Sequence, residues 1–293
     1  FQKLAAWGHV AARYNLVLTM PNRYRTALPS IMRQIELLEA NVARGDVHSK
    51  ALLASRISYV NRELVVPDRD IRRLELLRSA AESGDRDYLF RYGRELWRVA
   101  WVRQEEGYAD HAAEALMKAL AMGEPRAAEV LAHMRSQSPP WLSHDAVPQV
   151  FAKDEFQWWQ MAADMGRLPA VCQLGNGMYE AYRRAADDEA RKRFDIREAR
   201  ANLERCAAYH PIRDRERPKP AVFGAPALYA TKLVATYSSM SNSAGWANMH
   251  LGEMHVEAIG VARDAAKART YYRRALDVHG FKEARSQLRA LGG

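Results

Sequence analysis

Cysteine is almost absent from this chain: Cys172 and Cys206 are the only two among 293 residues. Two is too few for the disulfide framework of a small secreted domain, and too few for a structural zinc site. No apolar run approaches the ~20 residues that a membrane-crossing helix needs. No His-Glu-x-x-His occurs, and His250 and His255 stand five apart, which does not put them on one helix face. The nine histidines therefore read as surface or packing residues. Gly-x-Ser-x-Gly is missing, as is a glycine-rich loop ending in Lys-Ser/Thr. The Gly-x-Gly of "LGNGMY" (174–179) lacks the strand before it and the third glycine of a phosphate loop. No catalytic residue, no metal and no cofactor is expected.

Acidic residues are also missing from one region. Residues 1–35 carry Lys3, Arg13, Arg23, Arg25 and Arg33 and no acid. Such a stretch resembles a leftover targeting segment, but Leu37 and Leu38 carry the helical pattern on. The first residue is Phe1 and not Met, so the chain reads as processed or trimmed, with any signal peptide out of view. The net charge is +9 and the pI about 9.6. Residues 191–220 hold ten Lys/Arg against five acids. That balance favours an acidic partner: a protein, nucleic acid or anionic lipid.

What the chain does have is a soluble composition, 48% hydrophobic and 27% charged, and a repeat. In "HLGEMHVEAIGVARDAAKARTYYRRALDVHG" (250–280), small and bulky residues alternate at fixed places. Upstream, "WWQMAADMGRLPAVCQLGNGMY" (158–179) sets Trp158-Trp159 where the first has Tyr271-Tyr272, Ala162 for Ala275, and Gly166 for Gly280. "DIREARANLERCAAYH" aligns with "DAAKARTYYRRALDVH" without a gap, Asp195 on Asp264 and Cys206 on Ala275. Units close at Gly45, Gly84, Gly123, Gly166, His210 and Gly280, with steps of 39, 39, 43, 44 and 70. A drifting period of this size is that of stacked hairpins whose loops vary while the helices do not.

Each unit reads as two helices. Ala268, Tyr271, Tyr272 and Ala275 fall at i, i+3, i+4 and i+7. Asp264 suits an N-cap, and Asp154 with Gln157, like Asp195 with Glu198, has capping-box spacing. Leu-Gly in first helices and alanine in second helices let two backbones approach, while Trp, Tyr and Leu fill the gaps between neighbours. Trp158-Trp159 and Tyr271-Tyr272 look like ligand boxes but fit this packing role better.

At these residues the chain resembles the Sel-1-like repeat (SLR) family, relatives of the tetratricopeptide repeats. The fit is best over 247–280: Ala247, Leu251, Gly252, Gly260, Val261, Asp264, Lys267, Ala268, Tyr271, Tyr272, Ala275 and Gly280. The unit 158–210 fits in halves, and units before residue 125 lose most Leu-Gly marks. Tetratricopeptide repeats proper hold 34 residues with little drift, and most steps here are longer. The resemblance implies one all-α domain over 1–293, a right-handed α/α superhelical solenoid of about six to seven irregular helical hairpins. The clearest repeats are 158–210 and 244–280. A degenerate repeat with a Pro-rich basic loop fills 211–245, where only 225–240 looks helical, and a capping helix covers 281–291.

The same resemblance implies a non-catalytic bacterial protein that binds other proteins. Members are often exported, and some act as immunity partners of secreted toxins, including phospholipases. The expectation is thus an adaptor or immunity protein, exported or periplasmic, for an effector of the type VI secretion kind; a cytoplasmic location is the alternative. Register carried over from the tetratricopeptide groove, with Leu251, Leu174, Leu131 and Tyr92 as buried marks, places Arg94, Trp97, Arg98, His133, Asn176, Tyr179 and Glu253 on the concave, partner-facing side. Cysteine-rich members bridge positions one residue away from Cys172 and Cys206. A disulfide between these two and a pair of buried thiols both remain open, and a Cα separation beyond about 7 Å excludes the bridge. In "RDRERPKP" (213–220), Arg213, Arg215, Arg217 and Lys219 alternate with acids and prolines. The segment reads as a solvated loop or as a docking loop for an acidic surface. A nucleic-acid or anionic-ligand module, or an enzyme, using 191–220 is the alternative function, though no aromatic ladder is interleaved with the basic residues.

Overall fold

The computed structural model describes residues 2–20, 28–58, 69–209 and 228–292. Helix is the only regular secondary structure among the described residues, and no strand occurs there. These residues form two compact units. The first holds α1 (Gln2–Ala6), α2 (Val10–Thr19), α3 (Leu28–Val42), α4 (Val47–Ile57), α5 (Arg69–Ala81), α6 (Arg86–Arg103), α7 (Glu106–Ala121), α8 (Pro125–Gln137) and α9 (Pro148–Phe151). The second holds α10 (Glu155–Asp164), α11 (Leu168–Arg184), α12 (Asp188–Arg191), α13 (Ile196–Ala207), the body of α14 (Leu228–Glu257), α15 (Ala265–His279) and α16 (Ala284–Ala290).

The punctuation read from sequence places these helices. Asp154 makes both arms of a capping box: its side chain accepts from the Gln157 N–H at 2.8 Å, and the Gln157 side chain accepts from the Asp154 N–H at 2.9 Å. Asp195 accepts from the N–H groups of Arg197 and Glu198, and Asp264 from those of Ala266 and Lys267. Gly45, Gly84, Gly123, Gly166 and Gly280 all lie at φ between 75° and 85°. At Gly280 that geometry turns two N–H groups back on α15: Gly280 donates to Leu276 and Phe281 donates to Ala275, each at 3.0 Å.

Packing follows chain order. α2 lies on α3, α3 on α4, and so on through α6, α7 and α8; α10 lies on α11, and α11 on α13. In the first unit Val17, Leu18, Leu38, Leu52, Leu53 and Ile57 form one apolar cluster, and burying each such side chain is worth roughly 1.5–3 kcal/mol. In the second, Tyr179, Leu203, Ala244, Ala247, Leu251 and Met254 join α11, α13 and α14, while Ala268, Tyr272, Ala275 and Phe281 close the C-terminal end. Trp158 and Trp159 are buried core residues. "LGNGMY" lies inside α11, so its glycines serve helix packing and form no loop.

Two Leu-Gly marks show how close the approach is. A Cβ on Gly175 would stand 2.8 Å from the backbone nitrogen of Leu203, and one on Gly252 would stand 2.5 Å from the Tyr272 ring. Cys172 of α11 and Cys206 of α13 are joined by a disulfide, with their Cα atoms 5.0 Å apart.

The block 211–245 differs from its expected form. A short helix near 225–240 followed by a separate first helix is replaced by one uninterrupted helix, Leu228–Glu257. No proline falls within it. Its internal Gly245 is tolerated because the Phe281 ring occupies the place a side chain would take. The closing position His210 and the loop cations Arg213, Arg215, Arg217 and Lys219 lie outside the described residues.

Candidate partner-binding surface

Among the register positions, Arg94, Trp97 and Arg98 sit together on α6, at i, i+3 and i+4. Asp85 starts this helix by accepting from the N–H groups of Asp87 and Tyr88. Trp97 is buried, packed edge-on against Trp101 with ring centres 5.8 Å apart and tilted against Trp141 at 6.1 Å; Trp101 and Trp141 are 6.4 Å apart. Three indoles thus brace one another, and edge-to-face pairs of this kind add about 0.5–1.5 kcal/mol each. Trp101 remains 45% exposed and its neighbour Val102 65% exposed.

Charged groups border this platform. The nearly buried carboxylate of Glu95 takes Arg98 at 2.7 Å and Arg73 at 2.9 Å, and Asp70 takes Arg98 at 2.7 Å. Burial alone would weaken Arg98's hold on its proton; the hydrogen bonds and charges of Glu95 and Asp70 more than reverse that. Arg94 is different. It has no carboxylate within ion-pair distance among the described residues, and its guanidinium lies 5.9 Å from the Phe90 ring centre. It reaches solvent, yet the surrounding protein displaces part of its hydration. That loss lowers its proton affinity against the pull of Glu95, and Arg91 and Arg126 lower it further. Arg73, Arg94, Glu95, Trp97, Arg98, Trp101, Val102 and Gln137 line an open cleft of about 560 Å³. His133, on an exposed face of α8, is not among them.

In the second unit the structure brings Asn176, Tyr179 and Glu253 together between α11 and α14. Asn176 donates to the Ser243 carbonyl at 3.3 Å. A single oxygen of Glu253, Oε2, accepts from the Tyr179 hydroxyl at 3.2 Å and from Arg183 at 3.1 Å, and lies 3.3 Å from His250 Nδ1. The other face of the His250 ring turns to Glu180 at 3.5 Å. Tyr179 is fully buried, so it braces this cluster and offers no surface to a partner. Burial, then the Glu253 charge, push its hydroxyl far above the ordinary tyrosine range, so it stays a donor. His255 is buried too, against the Ala262 carbonyl and the Tyr271 ring.

Glu253 predicts an acid-sensitive component of stability. Burial opposes its ionisation, but the hydrogen bond and charge of His250, with Arg183 and Tyr179, outweigh that and hold its carboxyl below the usual range. A depressed carboxyl contributes stability in full above the unfolded value, about 4.3, and loses it as pH falls through the folded value. Urea midpoints measured from pH 6 down to about 3 should fall more steeply for the native chain than for Glu253→Gln. Parallel curves would remove the depressed carboxyl from the account.

Register reasoning singled out Arg94, Trp97 and Arg98, and the structure sets them beside Trp101, Trp141, Arg73 and Glu95, which that reasoning did not single out. Trp101 carried a signal, four residues after Trp97 on the same helix face. Trp141 stands in the turn after α8, where no periodicity points to α6. Of the four buried marks, Leu131, Leu174 and Leu251 are buried and Tyr92 is half-exposed.

No family model matches the sequence, and no curated protein matches it. Among solved structures, a Sel1 repeat protein from Oxalobacter formigenes superimposes with a TM-score of 0.52 at 13% identity, over 96% of this chain and 89% of that one. A protective antigen of uropathogenic Escherichia coli with an SLR fold gives 0.49 at 18% identity over 99% of this chain, which spans 58% of that protein's length. An immunity protein from Pseudomonas aeruginosa gives 0.37 at 15% identity, over 93% of this chain and 83% of that one. The first of these shows the fold alone: an all-α fold similar to that of a Sel1 repeat protein.

Proposed function

We propose that this Sel1-repeat fold serves as a non-catalytic scaffold that binds another protein, and that the α6 cleft is one place where it does so. The observation that carries the reading is Trp101 and Val102, two large apolar side chains left 45% and 65% exposed side by side on a braced platform. Adjacent exposed apolar groups beside a cation are what an interface core looks like before its partner arrives.

The finer reading is an immunity protein, or adaptor, that neutralises a secreted toxic effector. It rests on the family resemblance and on the excess of positive charge. An exported, periplasmic location goes with it. The Cys172–Cys206 bridge supports that location, because disulfides persist in oxidising compartments and are rare in the cytosol. The test is co-expression in the periplasm of a toxin whose gene adjoins the one for this chain. Growth should be restored by the native chain and lost again with Trp101→Ala at equal protein level. Failure of the native chain to restore growth, or a reduced Cys172–Cys206 pair in protein trapped from cells with an alkylating agent, counts against toxin neutralisation and against export respectively.

A further inference from the structure

We infer that the α6 cleft takes an acidic peptide segment of its partner, one that sets an aromatic or large aliphatic side chain beside a carboxylate. The inference rests on the protein-binding role proposed above and adds the chemistry of what is bound.

Three observations select this ligand. The cleft has an apolar half, Trp97, Trp101 and Val102, and a basic edge, Arg94 with Arg98 and Arg73. Arg98 and Arg73 are already neutralised by Glu95 and Asp70, whose ion pairs fix where both guanidiniums stand. Arg94 alone has no carboxylate within ion-pair distance among the described residues, and it stays exposed at the cleft edge. A carboxylate arriving there gains a charge-assisted hydrogen bond. The neighbouring side chain of the same segment covers Trp101 and Val102. Such a pairing of an apolar anchor with one placed ion pair is the usual build of an interface hot spot.

Charge favours this ligand over two other occupants. A second copy of this chain brings another +9 instead of an acidic segment. A single-stranded nucleic acid needs a run of free cations along its backbone and stacking faces for successive bases. Here the described cleft offers one unpaired cation, a carboxylate in its wall, and indoles inclined 66° and 72° to one another across Trp101. α6 as a whole, with Arg86, Arg91, Arg94, Arg98 and Arg103 against Asp87 and Glu95, still steers acidic chains towards it.

The experiment titrates the full chain against four fluorescein-labelled probes, read by anisotropy. They are a short Asp/Glu-rich peptide with one central Phe, the same peptide with each acid replaced by Lys, the same with Phe replaced by Ser, and an oligothymidine of similar length. Only the first should bind well. Its affinity should fall about tenfold or more with Arg94→Ala and about thirtyfold with Trp101→Ala. Both side chains reach solvent, so both variants should fold, with unchanged circular dichroism. Arg94→Glu should turn the preference towards the Lys peptide. Equal binding of the acidic and Lys peptides, tighter binding of the oligothymidine, or affinity untouched by Trp101→Ala overturns the inference. The two levels separate cleanly. Toxin neutralisation lost in Trp101→Ala while the acidic peptide fails to bind leaves the docking surface and removes this ligand chemistry. Neutralisation that survives Trp101→Ala removes the surface itself.

Discussion

Replacing Cys172 and Cys206 together by alanine should lower stability by about 3–4 kcal/mol, and a strong reductant should do nearly the same to the native chain. The bridge closes a segment with a sequence separation of 34. In the chain-entropy account, a loop of that size removes ~3–4 kcal/mol of disorder from the unfolded state. Both side chains are fully buried beside Tyr179, Leu203 and Ala247, so the lost sulfurs also leave empty volume that neighbours fill only in part. Melting of the second unit should drop by about 10 °C, followed by circular dichroism with and without dithiothreitol. If the double variant melts within a degree or two of the native chain, the bridge contributes nothing to the packing of α11 on α13. A large effect of reductant on the double variant itself would point to some other target.

The second large effect concerns a single methyl group. Gly175→Ala should destabilise, by about 1–2 kcal/mol net. In a helix interior the exchange by itself is favourable by roughly 0.5–1 kcal/mol, since alanine loses less backbone freedom. Here the new Cβ would stand 2.8 Å from the Leu203 nitrogen and 3.1 Å from the Asn202 carbonyl carbon. Those are backbone atoms of α13, which no side-chain rotation can move. Overpacking of that kind costs about 1–3 kcal/mol and sometimes more, so the clash wins. Gly107 is the control: it lies in α7 with nothing within 4 Å of its Cβ position, and alanine there should be neutral or stabilise by up to about 1 kcal/mol. Chemical denaturation of the two variants checks the sign. Stabilisation by Gly175→Ala would mean that α11 and α13 stand farther apart than described.

Much of the fold could be read from residue type and spacing, because its signals are local. A cap needs an Asp and an N–H two or three residues on, and Asp154, Asp195 and Asp264 supply that within four residues of chain. Closing glycines are as local, since the left-handed turn at Gly280 concerns its own φ and the preceding helix turn. The single helix Leu228–Glu257 was harder to see. Gly245 and the Pro-rich stretch before it both suggest a break, and what lets the helix run on is Phe281, 36 residues further along. The candidate surface was legible in half. Helical period put Arg94, Trp97 and Arg98 on one face. It could not show that Glu95 and Asp70 already hold Arg98 and Arg73 while Arg94 stands apart, since ion pairing depends on which side chains α5 and α6 turn to each other. Register alone also treats Tyr179 and Arg94 alike, although one is sealed under α14 and the other reaches solvent.

Chain-order packing has a kinetic consequence. When helices meet mainly their immediate successors, as from α2 through α8, the segments that must find one another are short. Little loop entropy is lost before contacts compensate, which favours fast formation of each successive helix pair. The first hairpins therefore have their partners as soon as the next helix is synthesised, while α14 to α16 are still to come. The slow step falls on Cys172 and Cys206, because sulfur oxidation takes seconds to hours. Recovery of full thermal resistance after reductive unfolding should lag far behind recovery of helical circular dichroism.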